Sequence, residues 1–161
     1  MLWRPGLLTK VKRLGIHGNM FSFIENFISE RTFQVRVGSE LSEVKTLENG
    51  TPQGSIISPI LFLIMINDMA EICPGVELSL FADDSATYKS GRNLSLLISD
   101  IQRALDHISN WCDDWGIQIS LKKSNIVIFT HRVKYNVTPI VYKGNPLKVE
   151  DKVKFLGMIS I

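Results

Sequence analysis

Seven consecutive apolar residues, Ile60 to Ile66, constrain this chain more than any other stretch. Ser58 and Pro59 precede them, a capping residue followed by a proline suited to a first helical turn. The pattern predicts a helix running to about Ala70. Apolar nearly all round, it has no face to offer water, so it is expected to be buried on every side as the central packing element. The run is far short of the ~18 residues that cross a bilayer, and no transmembrane segment is expected. The chain has 161 residues, 45% of them hydrophobic and 21% charged, enough for one ordinary domain that folds. Met1-Leu2-Trp3-Arg4-Pro5-Gly6 lacks the apolar core of a signal peptide.

Other elements follow from periodicity. Leu7, Leu8, Val11 and Leu14 mark one amphipathic helix, with Lys10, Lys12 and Arg13 off its apolar face. Met20, Phe23, Ile24, Phe27 and Ile28 mark a second. Thr32–Val37 and Ser42–Leu47, joined through Gly38 and Ser39, read as a hairpin. Asn93 to Trp115 is the longest helix, with a stripe through Leu94, Leu97, Ile98, Ile101, Ala104, Leu105, Ile108, Trp111, Cys112 and Trp115, ended by Gly116. Asn125–Thr130 reads as a strand. Ile140–Tyr142 and Leu147–Val149 read as a small hairpin through Lys143-Gly144-Asn145-Pro146, and Val153–Met158 begins a last strand. The fold class is α+β.

Two stretches carry chemistry. In Leu78–Phe81 and Ser85–Tyr88, two short β-runs flank the adjacent carboxylates Asp83 and Asp84 at the tip of a hairpin. Asp is a poor strand residue, so the pair could simply make the turn. A turn needs only one of them, however, and two carboxylates about 5 Å apart repel by about 3 kcal/mol at an effective dielectric near 20. A divalent cation reverses that sign, so the pair reads better as half of a metal site. Upstream, Thr51-Pro52-Gln53-Gly54-Ser55 leads into the start of the apolar helix. Backbone N–H donors on a Gly-containing loop at a helix N-terminus can hold phosphate.

Charge is uneven although the net is only +2. Residues 1–36 carry six Lys or Arg against two acids, residues 37–119 four against twelve, and residues 120–161 eight against two. An acidic middle between basic ends suits a metal site beside a polyanion surface, and equally suits ordinary solvated faces. Cys73 and Cys112 are too few for a zinc site or disulfide framework, and His17, His107 and His131 show no ligand spacing. An intracellular, reduced protein is expected, in the nucleus or cytoplasm.

Taken in order, these stretches resemble the palm of reverse transcriptases encoded by non-LTR retrotransposons, in particular jockey-like elements. Thr51-Pro52-Gln53-Gly54-Ser55 with Ser58-Pro59 resembles the family's nucleotide-pocket loop and helix. Phe81-Ala82-Asp83-Asp84 resembles its catalytic hairpin. Trp115-Gly116-Ile117 with Lys123-Ser124 is similar to the next motif, and Phe155-Leu156-Gly157 to the primer-grip turn. The resemblance implies an RNA-directed DNA polymerase using two Mg²⁺, with an RNA template, a DNA primer and dNTPs as partners. It implies Asp83 as first metal ligand, Asp84 as second, and Lys123 as proton donor. Gln53, Gly54 and Ser55 would line the nucleotide and template pocket, Phe81 would lie near the primer end, and Phe155, Leu156 and Gly157 would form the primer grip.

Departures shape the expectation for this chain. The family's other metal-binding Asp would fall just before Met1, fingers and thumb are expected to be missing, and Ser120-Leu121 replaces the usual Asn-Pro. Residues 1–161 are therefore expected to be a partial domain, a palm with one antiparallel sheet and helices on one face. Residues 136–161 would supply the small hairpin and primer-grip-like end. Such a chain is expected to be inactive alone, or a non-catalytic remnant that still binds nucleic acid.

Overall fold

The computed structural model describes residues 2–131, 137–155 and 158–160, with side chains described as far as Val153. The chain divides into two compact units. One runs through Asn67 and takes in Trp115–Ile117; the other holds Asp68–Asp114 and the rest from Gln118.

In the first unit, α1 (Arg4–Arg13) starts with Pro near its N-terminus, where a missing N–H costs nothing. Next come α2 (Gly18–Ile28) and α3 (Ile57–Ile66). Leu7, Val11, Ile24, Ile28, Leu61 and Met65 form the core, with Leu2 closing one end. The apolar run is not buried on every side as expected. Leu61, Met65 and Ile66 are buried, but Ile60 and Leu63 are 53% and 54% exposed. Apolar residues all round cannot mark which side the neighbouring helices cover. The helix also stops at Ile66, and a 3-10 stretch, Asn67–Ile72, takes over.

Lys10 is the other surprise: it is 4% exposed, on the buried side of α1. Its Nζ donates to the Met65 carbonyl at 2.6 Å and lies 4.0 Å from the Trp115 ring centroid. An ammonium on a carbonyl in the last turn of α3 meets the negative end of that helix, which is how the cation is tolerated inside. Leu14, assigned to the apolar stripe, is exposed instead.

Between α2 and α3 the expected hairpin forms in two ladders. β1 (Arg31–Phe33) pairs with a strand at Lys45–Leu47 (β4), and β2 (Arg36–Val37) with β3 (Glu40–Leu41), all antiparallel. Ser42 interrupts the ladder by accepting the Val35 N–H on its hydroxyl.

In the second unit, β5 (Glu77–Phe81) pairs with β6 (Asp84–Tyr88) in register Phe81↔Asp84. α4 spans Leu94–Asp114. Asn93 caps it: its Oδ1 accepts the Ser95 and Leu96 N–H groups at 3.1 and 3.3 Å, satisfying donors a helix start leaves open. Of the expected stripe, Ala104, Ile108, Trp111 and Cys112 are buried, while Leu94, Leu97, Ile98, Ile101, Leu105 and Trp115 are half-buried. Trp111 Nε1 donates to Asp68 Oδ1 at 3.2 Å, so its polar edge stays paired.

The C-terminal strands correct the sequence reading. β7 (Asn125–Val127) is followed by β8 (Val141–Tyr142), β9 (Asn145–Pro146) and β10 (Lys148–Glu150). Lys143 and Gly144 have φ of +48° and +80°, so they alone make the turn and Tyr142 pairs with Asn145. The expected hairpin forms, with Leu147 N–H donating to the Ile140 carbonyl at 2.8 Å, but its second arm begins already at Asn145, and β10 pairs instead with β7 in parallel. Gln102 of α4 accepts the Val141 N–H on Oε1 at 2.7 Å and donates from Nε2 to the Val141 carbonyl at 2.9 Å, occupying the edge of β8. β11 (Val153–Phe155) pairs antiparallel with β12 (Met158–Ser160). Helices and small, mostly antiparallel sheets confirm a mixed α and β chain. The expected single sheet is not formed among the described residues, where each ladder has two strands.

Candidate active site

The Asp-Asp hairpin is built by a two-residue turn. Phe81 and Asp84 close it, leaving Ala82 and Asp83 as the central pair. Ala82 has φ +48°, a left-handed conformation that costs a residue with a Cβ about 1–2 kcal/mol. Asp83 therefore sits at the apex, and Asp84 opens β6 rather than Ser85 as expected. Both carboxylates are exposed, as is Phe81 at 62%. Neither makes a hydrogen bond or ion pair among the described residues. Exposure also screens their mutual repulsion well below the figure expected from sequence.

Two carboxylates with no protein partner fit the donor set of a hard divalent cation. Among the described residues, no group of three or more His, Cys, Asp or Glu is arranged to hold a metal. Asp83 and Asp84 are the residues of this turn that could hold a divalent cation.

The 51–55 loop belongs to the other unit and is anchored at both ends. Before it, the Gly50 N–H donates to the Leu2 carbonyl at 2.8 Å. Arg31 Nη2 donates to the carbonyls of Asn49 and Gly50 at 3.0 and 2.7 Å. After it, Ser58 Oγ donates to the Pro52 carbonyl at 2.6 Å. Gln53 and Gly54 are exposed and Ser55 is half-buried. The expectation of free N–H groups at the helix start is corrected. Ile57 N–H is taken by Ser55 Oγ at 3.3 Å, Ser58 N–H by the Ser55 carbonyl at 3.3 Å, and Pro59 has none. Donors for a ligand would have to come from the loop itself.

Lys123 ends a short 3-10 turn, Leu121–Lys123, and is exposed. Ser124 Oγ donates back to the Ser120 carbonyl at 2.9 Å, and β7 follows at once, so the turn is fixed at both sides. Phe155 lies in β11; Leu156 and Gly157 lie outside the described residues. The hairpin unites Phe81, Asp83 and Asp84, and the loop unites Gln53, Gly54 and Ser55. Arg31, the anchor of that loop, was missed in the sequence. No sequence signal marks it: the register that sets Arg31 opposite Leu47, two residues before Asn49, is seen only in the fold.

A profile described as reverse transcriptase (RNA-dependent DNA polymerase) matches residues 2–160. The chain belongs to that family. It is 29% identical, over 98% of its length, to the RNA-directed DNA polymerase from mobile element jockey of Drosophila melanogaster, and covers 18% of that protein. The corresponding jockey protein of Drosophila funebris is 30% identical over 98% of this chain and 18% of its own length. A probable RNA-directed DNA polymerase from transposon X-element of Drosophila melanogaster is 32% identical over the same shares. This chain thus spans about a fifth of these curated relatives.

Proposed function

We propose that this chain is the nucleotidyl-transfer core of an RNA-directed DNA polymerase, acting with an RNA template, a DNA primer and dNTPs. The observation that carries the reading is the strained hairpin turn presenting, in an Asp-Asp motif, two carboxylates without a partner among the described residues. Asp83 and Asp84 would hold Mg²⁺, two ions in the working enzyme. When bound, the metal supplies a more acidic primer hydroxyl and charge neutralisation at the phosphates.

The chain's own residues do the rest. Gln53, Gly54 and Ser55 orient the incoming nucleotide against the template base, and Phe81 packs beside the primer end. The primer 3′-hydroxyl gives its proton to solvent as its oxygen bonds the α-phosphorus and the bond to pyrophosphate breaks. Lys123 gives its proton to the leaving oxygen. Phe155, Leu156 and Gly157 hold the primer strand.

Asp83 and Asp84 reach an ion from one turn only, and loose positioning of a reacting group costs 10²-fold or more for roughly a 1 Å error. The purified 161-residue chain is therefore expected to give no primer extension with Mg²⁺. Placed within the flanking segments of a jockey-like polymerase, it is expected to extend a primer on RNA, and Asp83→Ala to abolish that. Extension that survives Asp83→Ala would overturn the assignment. For the isolated chain, the eight Lys or Arg against two acids in residues 120–161 favour a second reading, nucleic-acid binding without catalysis. Salt-dependent retention of a labelled oligonucleotide tests it.

A further inference from the structure

Arg4 and Arg31 form a cationic cluster with no counter-charge among the described residues. Neither makes an ion pair among the described residues, and the first turn of α1, which Arg4 opens, contains no acidic residue. Three of their nitrogens, Arg4 Nε and Nη2 and Arg31 Nε, are buried without an acceptor. Burial and the neighbouring Arg4 both push the Arg31 pKa down, so the two charges feel each other in a partly desolvated place. Structures rarely leave buried guanidinium donors unmade, because each costs more than a made bond returns.

Which donors are open identifies the ligand. Nε and Nη2 of Arg4 lie along one edge of the guanidinium, the two-pronged fork that matches two oxygens of a single oxyanion. Arg31 contributes Nε while its Nη2 stays on Asn49 and Gly50, at the foot of the 51–55 loop. Among the described residues the Arg4 side chain makes no hydrogen bond, so a ligand on its fork displaces none.

We propose that Arg4 and Arg31 form a receptor for a phosphate group at the base of this loop. The choice of phosphate over carboxylate rests on the polymerase reading; the oxyanion site itself rests on the unpaired donors. The group belongs either to a nucleoside triphosphate or to a nucleic-acid strand.

Side-chain Nε–H resonances give a direct readout on the full 161-residue chain without metal. Titration with inorganic phosphate, dNTP and a single-stranded oligonucleotide at constant ionic strength is expected to shift Arg4 and Arg31 saturably. Arg36, whose Nε already donates to the Gly38 carbonyl, should not follow. Tighter saturation by dNTP assigns the site to the nucleotide, and by the oligonucleotide to a strand. Arg4→Gln, which removes no loop contact, should weaken binding about tenfold or more, the loss of one charge-assisted pair. Arg31→Lys should weaken it less. Shifts shared equally with Arg36, or acetate saturating as tightly as phosphate, would overturn the proposal. Because no extension is measured, a failed polymerase assay and a failed phosphate titration remain separate results.

Discussion

Gly6 sits in the first turns of α1, where replacing Gly by Ala ordinarily stabilises a helix by about 1 kcal/mol. Here the sign is expected to reverse. A Cβ on Gly6 would meet Trp3 Cε3 at 2.3 Å and Cζ3 at 2.9 Å, and Trp115 Cε3 at 3.1 Å. Trp115 packs against the core, so Trp3, 40% exposed, is the ring that must leave. Moving it into water gives up on the order of 100 Å² of burial, about 2.5 kcal/mol at 25 cal/mol/Å². Set against the helix gain, Gly6→Ala should destabilise by about 1–2 kcal/mol, a fall of roughly 3–6 °C in melting temperature for a chain of this size. Far-UV circular dichroism gives the melt, and tryptophan emission should move to the red. Since the Leu2 carbonyl next to Trp3 accepts the Gly50 N–H, exchange of the Gly50 amide should also quicken. Trp3→Ala removes the obstacle, and in that background Gly6→Ala should become stabilising. An unchanged or higher melting temperature in the single variant would refute the reasoning.

Ala82→Gly is expected to stabilise by about 0.5–1 kcal/mol, the left-handed penalty exceeding the extra chain entropy of glycine; a lower urea midpoint would count against it. Cys112 is buried and its thiol is pushed up to about 11, by burial first and the nearby Asp113 second. At pH 8 its thiolate fraction should be about a hundredfold below that of the unfolded chain, so iodoacetamide should label it only after denaturation. Asp100 is held below the usual carboxylate range by the Lys89 ammonium, 2.6 Å away. That depressed value means stability present above about pH 4 and lost as pH falls through the folded-state pKa. The difference in urea midpoint between the wild-type chain and Lys89→Met should accordingly close in acid; a gap that persists would show the pair is not its source.

Sequence reading succeeded where the determinants are local. Alternation and the Asp-Asp step located β5 and β6 to within a residue, and Asn93 announced the start of α4 because a cap and its donors lie within three residues. It failed where a partner is distant. Nothing local tells that Lys10 will reach the Met65 carbonyl, since a lysine off an apolar stripe usually points to water. Nor does periodicity choose which side of α3 is covered, as every side is equally apolar. The parallel pairing of β10 with β7 joins strands with a whole hairpin between them, a partner that no local pattern announces. The candidate site was legible as residue types in order. What anchors its loop was not, because Arg31 acts through backbone carbonyls that no side-chain motif records.

The case for a ligand at the hairpin changes its footing once the geometry is known. From sequence, repulsion between neighbouring carboxylates was the reason to want a cation, but both groups are exposed and water screens them. The backbone offers a firmer reason. A two-residue hairpin turn usually places Gly, Asn or Asp where φ is positive, and this one places Ala there, with the aspartates after it. Exchanging Ala82 and Asp83 would ease the turn and leave the charge unchanged. The strained order instead fixes one carboxylate at the apex and the next at the first paired position, with the apolar Phe81 opposite it left in water. Strain of this kind persists where the arrangement of side chains matters more than the stability of the turn. Two adjacent carboxylates held at one tip, with no protein group bonded to either among the described residues, are the arrangement on which the proposed cation site rests.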